Sequence, residues 1–198
     1  MYLSSLDVIN SCLETLGEVP LNAADTDHPY AGAILRLLRS NNFRVQARGW
    51  WFNKERITLE PNAVTGEIYV PHDVLSLDTE TPQRNYVLRG RRLYNITAES
   101  YVFKSPVTLA IIRLLEFEDL PFVAQDLIQA ATVVRFVESY DADQSRVQQV
   151  RADYQEADAV CNAEHIRNVN ANVLQQGGVG YTKASITRVG TGRRLGVY

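Results

Sequence analysis

Leu120-Pro121-Phe122-Val123-Ala124-Gln125-Asp126-Leu127, continuing through Ala171-Asn172-Val173-Leu174, decides the fold, because nearly all of it repeats in helical period. Val123, Leu127, Ala130, Val134 and Val137 alternate steps of four and three residues. After Tyr140-Asp141-Ala142-Asp143 the same spacing returns at Val147, Val150, Tyr154, Ala157 and Cys161. Two long helices back to back are predicted. Pro121 suits the first turn of the first, where its missing N–H is no loss. Asp141 or Asp143 can cap the second, with Gln144 in capping-box position to Asp141. The polar faces carry Gln125, Gln129, Glu138, Arg146, Arg151 and Glu156, so each apolar seam is narrow and the hairpin needs partner helices.

The partners lie upstream. Leu6, Ile9, Leu13 and Leu16 recur at three and four residues behind a Ser4 or Ser5 cap, and Gly17 with Pro20 supplies the stop. A polar connector ending in His28-Pro29 leads to a second helix over 30–48, with Ile34, Leu37, Leu38 and Val45 inward and Arg36, Arg39, Arg44 and Arg48 outward. Four helices imply an antiparallel four-helix bundle.

Between the helix pairs the texture changes. Trp50-Trp51-Phe52-Asn53, Ile57-Thr58-Leu59, Glu67-Ile68-Tyr69-Val70, Asn85-Tyr86-Val87-Leu88, Arg91 to Ile96 and Thr108 to Ile112 are short, β-branched or aromatic, and punctuated by glycine and proline. These read as strands of a small, mostly antiparallel sheet, with Leu88-Arg89-Gly90-Arg91 as a hairpin turn. The predicted fold is therefore α+β: residues 1–49 and 120–174 as a helical bundle, 50–119 as a β-rich insertion between helices 2 and 3, and 175–198 as an extended C-terminal arm. From Gly177 to Tyr198 there is no acid, while Lys183, Arg188, Arg193 and Arg194 are interleaved with Val179, Tyr181, Ile186, Val189, Leu195, Val197 and Tyr198. Such a segment has no core of its own and enough anchors to order against a partner.

A chain of 198 residues, 45% hydrophobic with formal charge -3, can bury a core without metal or disulfide help. Its first residues lack the basic start and apolar run of a signal peptide, and no eighteen consecutive residues are apolar, so synthesis in the cytoplasm and no membrane partner are expected. Cys12 and Cys161 fall in two different apolar stripes and read as reduced core thiols rather than a disulfide.

No phosphate loop, His-Glu-x-x-His, Cys-x-x-Cys or Gly-x-Ser-x-Gly motif is present, and His28, His72 and His165 stand in unrelated contexts. No catalytic residue, metal or cofactor is nominated. Glu116-Phe117-Glu118-Asp119 offers paired carboxylates of the kind glycoside hydrolysis needs, so a glycan-degrading enzyme using Glu116 and Glu118 is the alternative. An acidic run ahead of a helix is equally what the helix dipole attracts. Arg84, Arg89, Arg91 and Arg92 crowd one end of the insertion, and Arg36, Arg39, Arg44, Arg48, Lys54 and Arg56 follow the second helix. A small DNA-binding module is a third reading, weakened by an overall acidic chain with pI near 5.6.

Five collinear stretches carry a resemblance: Gln46 to Asn53, Ile57-Thr58-Leu59-Glu60-Pro61, Tyr69 to Leu77, the Arg89-Gly90-Arg91-Arg92-Leu93-Tyr94 turn, and Ile111 to Pro121. Over roughly residues 6–160 the chain resembles the tail tubular protein A family of short-tailed bacteriophages. The resemblance implies a structural head-to-tail adaptor: a ring of twelve copies beneath the portal protein, with the tubular nozzle protein on its other side. Tail fibres attach near that junction in many relatives, double-stranded DNA passes non-specifically through the channel, and the arm reaches toward the portal. Interface candidates are Trp50, Trp51, Phe52, Arg89, Arg91 and Arg92, residue types enriched at hot spots, and Tyr181, Lys183, Arg188, Arg193, Arg194 and Tyr198 on the arm.

Overall fold

A computed structural model describes residues 2–23, 28–79, 85–140 and 143–175. The order of elements is α1 (Ser5–Thr15), α2 (Ala31–Gln46), β1 (Lys54–Leu59), β2 (Val74–Thr79), β3 (Tyr86–Arg89), β4 (Arg92–Asn95), β5 (Val107–Arg113), a 3-10 turn (Phe117–Asp119), α3 (Phe122–Tyr140) and α4 (Gln144–Gln175). The chain is α+β, with four helices and two small antiparallel sheets among the described residues.

Local signals set the helix ends. Ser4 caps α1: its backbone N–H donates to Asp7 Oδ2 at 2.7 Å and its hydroxyl accepts from Asp7 N at 3.3 Å. At the far end Gly17 takes φ +72°, and Glu18 N donates to the Leu13 carbonyl at 3.1 Å, closing the helix with a Schellman turn. The Pro121 carbonyl accepts the first amides of α3, from Ala124 at 2.8 Å and Gln125 at 3.1 Å. Asp143 starts α4, its carbonyl accepting from Val147 N and its carboxylate from Ser145 N at 2.9 Å. The proposed Asp141 cap lies outside the described residues.

The four helices share one apolar core. Val8, Ile9, Cys12 and Leu13 of α1 meet Ile34, Leu38 and Val45 of α2, Leu127, Ile128 and Phe136 of α3, and Ala157 and Cys161 of α4. The α4 seam is the predicted one. On α3 the buried arc is instead Ala124, Gln125, Leu127, Ile128, Thr132, Phe136 and Val137, while Val123, Ala130 and Val134 are half-buried. This helix touches α1, α2 and α4 at once, which widens and rotates its buried face. Gln125, expected on a polar face, is fully buried.

The β part has its own core. Strand order is β1-β5-β2, all antiparallel, with Ile57 opposite Leu109 and Leu77 opposite Ile111. Val107, Leu109 and Ile111 alternate inward along β5 to meet Ile68, Val70, Leu93 and Phe103. β3 and β4 form the expected hairpin, with Arg89 opposite Arg92 and Gly90 at φ +62°. Two sequence expectations are corrected and one strand is added. Trp50 to Asn53 is a turn, because Gly49 at φ +74° redirects the chain as it leaves α2. The 67–70 segment makes only single bridges, Glu67 to Val102 and Tyr69 to Arg92, being confined between Gly66 at φ +69° and Pro71. And β2 was not foreseen: a bulge between Val74 and Ser76 breaks the alternation that would have marked it.

Candidate functional site

The helical and β parts are fastened by a buried polar joint. Leu38, Asn42 and Gln46 continue the α2 stripe at four-residue steps, so two amides face inward where the apolar pattern would place leucines. Gln46, fully buried, donates from Nε2 to the Leu115 carbonyl at 2.8 Å and to Asn42 Oδ1 at 2.7 Å, and its Oε1 accepts from Leu115 N at 2.9 Å. Asn53, also fully buried, donates to the carbonyls of Gln46 and Arg113 at 3.0 Å each, while its Oδ1 accepts from Trp50 N at 2.8 Å. Sequence reasoning passed over both. The four-residue step from Leu38 through Asn42 places Gln46 on the buried face, but nothing local marks Asn53.

The aromatic run packs on this joint and under α4. Trp50 is 2% exposed and its indole N–H donates to the Val45 carbonyl at 2.7 Å. Trp51 and Phe52 are half-buried, ring centroids 5.0 Å apart. Trp51 N donates to His165 Nδ1 at 3.2 Å. Burial, then the charges of Lys54 and Arg48, hold the His165 imidazole below its ordinary pKa, so the neutral ring accepts this bond. Arg48 lies 4.7 Å above the Trp50 ring and pairs with Asp158 at 2.6 Å, tying α2 to α4.

The hairpin arginines are separated by their partners. Arg89 is exposed, its guanidinium 3.7 Å from the Tyr94 ring centroid. Arg91 donates to the Val70 carbonyl and meets His72 Nδ1. Arg92 pairs with Glu67 at 2.6 Å and covers Tyr101. Hydrogen bonds from Tyr69 and then Arg92 hold the Glu67 carboxyl below its ordinary range. Tyr181, Lys183, Arg188, Arg193, Arg194 and Tyr198, with the arm they belong to, lie outside the described residues, as does Arg84.

Glu116 and Glu118 are exposed beside and on the 3-10 turn, and Ser5 Oγ donates to Glu118 Oε1. The two thiols are buried: Cys12 is pushed up to about 12 by burial, and Cys161 to about 11 by burial and the charge of Asp158. Among the described residues no group of three or more His, Cys, Asp or Glu is arranged to hold a metal ion, and no helix is long and apolar enough to cross a membrane.

Two clefts flank the α3/α4 pair and differ in charge. One, of about 610 Å³ between α1, α3 and α4, is lined by Glu14, Asp126, Asp153 and Glu156, with Arg146 reaching across to the Thr15 carbonyl. Partial burial, then the charge of Glu156, lift the Asp126 carboxyl above its ordinary value. The other, of about 330 Å³ between α2, α3 and α4, is lined by Arg44, Arg48 and Arg135 with no carboxylate in its wall. Val133 lines the first cleft and Arg135 the second. At about 100° per residue the α3 residues of the two walls, Asp126, Gln129, Ala130 and Val133 against Ala131, Val134 and Arg135, centre about 140° apart, so the clefts open on different flanks of the helix.

A family model described as "Tail tubular protein" matches residues 6–174. A stretch of 119 residues is 35% identical to tail tubular protein A of Klebsiella phage KP34, covering 60% of this chain and 63% of that protein's length. With the family model matched from the first helix to the end of the last, the chain belongs to the tail tubular protein family.

Proposed function

We propose that this chain is a structural protein of a short-tailed phage tail, and specifically a head-to-tail adaptor. Copies join in a ring of twelve between the portal protein and the tubular nozzle protein, tail fibres attach near the nozzle side, and DNA leaves non-specifically through the channel. The observation that carries this is the family match over residues 6–174. The buried joint supports it, because a ring closes only when each subunit holds its two contact surfaces at a fixed angle. A joint of directional hydrogen bonds between α2 and the end of β5 resists bending better than a greasy hinge would.

In this reading the two apolar cores correspond to two domains, an antiparallel four-helix bundle from 1–49 and 120–174 and a β insertion at 50–119, and 175–198 is the arm that reaches the portal. Arm residues Tyr181, Lys183, Arg188, Arg193, Arg194 and Tyr198 make that contact. Trp51, Phe52, Arg89, Arg91 and Arg92 keep exposed surface for neighbours, while buried Trp50 shapes that surface from within. Many modest arms on one ring give a durable junction, since each contact after the first is effectively intramolecular.

Deleting residues 177–198 tests the arm: the shortened protein folds with the full-length melting profile and no longer docks on purified portal. Unchanged docking would refute the arm's role. No turnover belongs to this reading. Host envelope polysaccharide incubated with the protein remains intact, and depolymerisation abolished by Glu116→Gln or Glu118→Gln would replace the adaptor with the hydrolase.

A further inference from the structure

We propose that the acidic cleft of one copy receives the arginine-lined flank of the next, so that copies join head to tail through the α1/α3/α4 groove on one side and the α2/α3 face on the other. This rests on the ring reading above and adds which faces meet.

Charge is the first argument. Glu14, Asp126, Asp153 and Glu156 share one groove, against a single cation among the described residues of its wall, Arg146, which donates to the Thr15 carbonyl. A second cleft, lined in part by Asp7, Glu14 and Glu18, shares Ser11, Glu14 and Gln129 with the first and continues the negative surface along α1. Burial, and then the charge of Glu156, raise the pKa of the Asp126 carboxyl, as expected where carboxylates are gathered in one groove. On the other flank Arg44 is exposed and Arg135 donates to the neutral side chains of Ser40 and Asn41. Arg48, the third arginine of that wall, is already paired with Asp158, which leaves Arg44 and Arg135 as the cations this face offers. Each surface lacks what the other offers.

Placement is the second. The two faces lie on different flanks of the α3/α4 pair, so a two-fold contact would set acid against acid or arginine against arginine. A contact between unlike faces satisfies both and leaves one of each free to propagate, which is the heterologous geometry that closes into rings. Val160, 46% exposed in the wall of the acidic groove, and half-buried Val134 in the arginine-lined cleft supply apolar area to the contact. Surfaces of opposite charge speed encounter and fix register, at the cost of salt sensitivity.

The test is a charge swap in the full chain. One variant carries Glu14→Lys, Asp153→Lys and Glu156→Lys; the other carries Arg44→Glu and Arg135→Glu; sedimentation velocity reads association up to about 1 mM protein, bracketing the weak end of specific contacts. Each variant alone is expected to self-associate at least about tenfold more weakly than the wild type, and mixing the two is expected to restore assembly, because reversed faces then alternate. If either variant alone associates like the wild type, the pairing is wrong while the ring stands. If the mixture stays monomeric although both variants melt like the wild type, the pairing is equally overturned. Should a reversal variant misfold, Glu14→Gln with Asp153→Asn and Glu156→Gln replaces it, and undiminished association of that neutral form overturns the proposal. Failure of the wild type to form rings on portal would instead count against the ring itself.

Discussion

Replacing Gln46 by methionine keeps the volume of the side chain and removes its three hydrogen bonds. Those bonds, to the Leu115 carbonyl at 2.8 Å, to Asn42 Oδ1 at 2.7 Å and from Leu115 N at 2.9 Å, hold the end of α2 against the exit from β5. At about 1 kcal/mol net for each, the loss is about 3 kcal/mol. The Leu115 carbonyl keeps its bond from Asn42 at 3.2 Å, and Leu115 is half-buried, so the penalty for orphaned groups stays at the low end. For a chain of this size that corresponds to a fall in melting temperature of about 6–12 °C. Urea unfolding followed by far-UV circular dichroism and by fluorescence of the adjacent tryptophans measures it, and amide exchange at Leu115 accelerates in the variant. Gln148→Met, on the exposed face of α4, is the control and stays within about 0.5 kcal/mol of the wild type. A Gln46→Met variant as stable as that control would refute the assignment of this amide as the joint between the two cores.

Other outcomes follow from the same packing. At Gly49, φ is +74° and a Cβ would stand 2.7 Å from Ile112 Cδ1, whereas Gly17 shares the backbone at φ +72° with open space around it; Gly49→Ala is therefore the costlier, by about 1–2 kcal/mol over Gly17→Ala in parallel melts. Cys12 and Cys161, pushed up to about 12 and about 11, stay unreactive to a thiol reagent at pH 8 until denaturant is added, and rapid labelling of the folded chain would contradict their burial. Because the folded His165 binds its proton less readily than the unfolded one, stability falls as pH drops below about 6.5, and His165→Gln flattens that slope; equal slopes would remove His165 as the cause. Asp126→Asn raises the stability of the isolated subunit by a few tenths of a kcal/mol, the scale of a relieved like-charge pair, and a lower urea midpoint would argue against crowding in the acidic groove.

Much of the helical layer was legible in the chain. The 3.6-residue period located all four helices, and Ser4, Gly17, Pro121 and Asp143 announced their ends, because caps are local chemistry. The joint was not legible for a corresponding reason. Gln46, Asn53 and Gln125 are buried because backbone groups 60 to 122 residues away meet them, as Arg113 meets Asn53 and Leu3 meets Gln125. The α2 period extends to Gln46, but no local period names its distant partners or reaches Asn53. Trp50 to Phe52 misled in the opposite sense: aromatic composition favours a strand, but Gly49 and the Asn53 side chain impose a turn. The two clefts depended on how α1 and α2 dock against the two flanks of α3, which composition alone does not encode.

In the function proposed above, copies of this chain close into a ring between a portal and a nozzle. Electron-microscope images of purified portal mixed with the full-length chain test it directly. A ring of twelve subunits capping one end of the portal, with a continuous central channel, is the result expected. Portal particles that remain bare at saturating protein would contradict it.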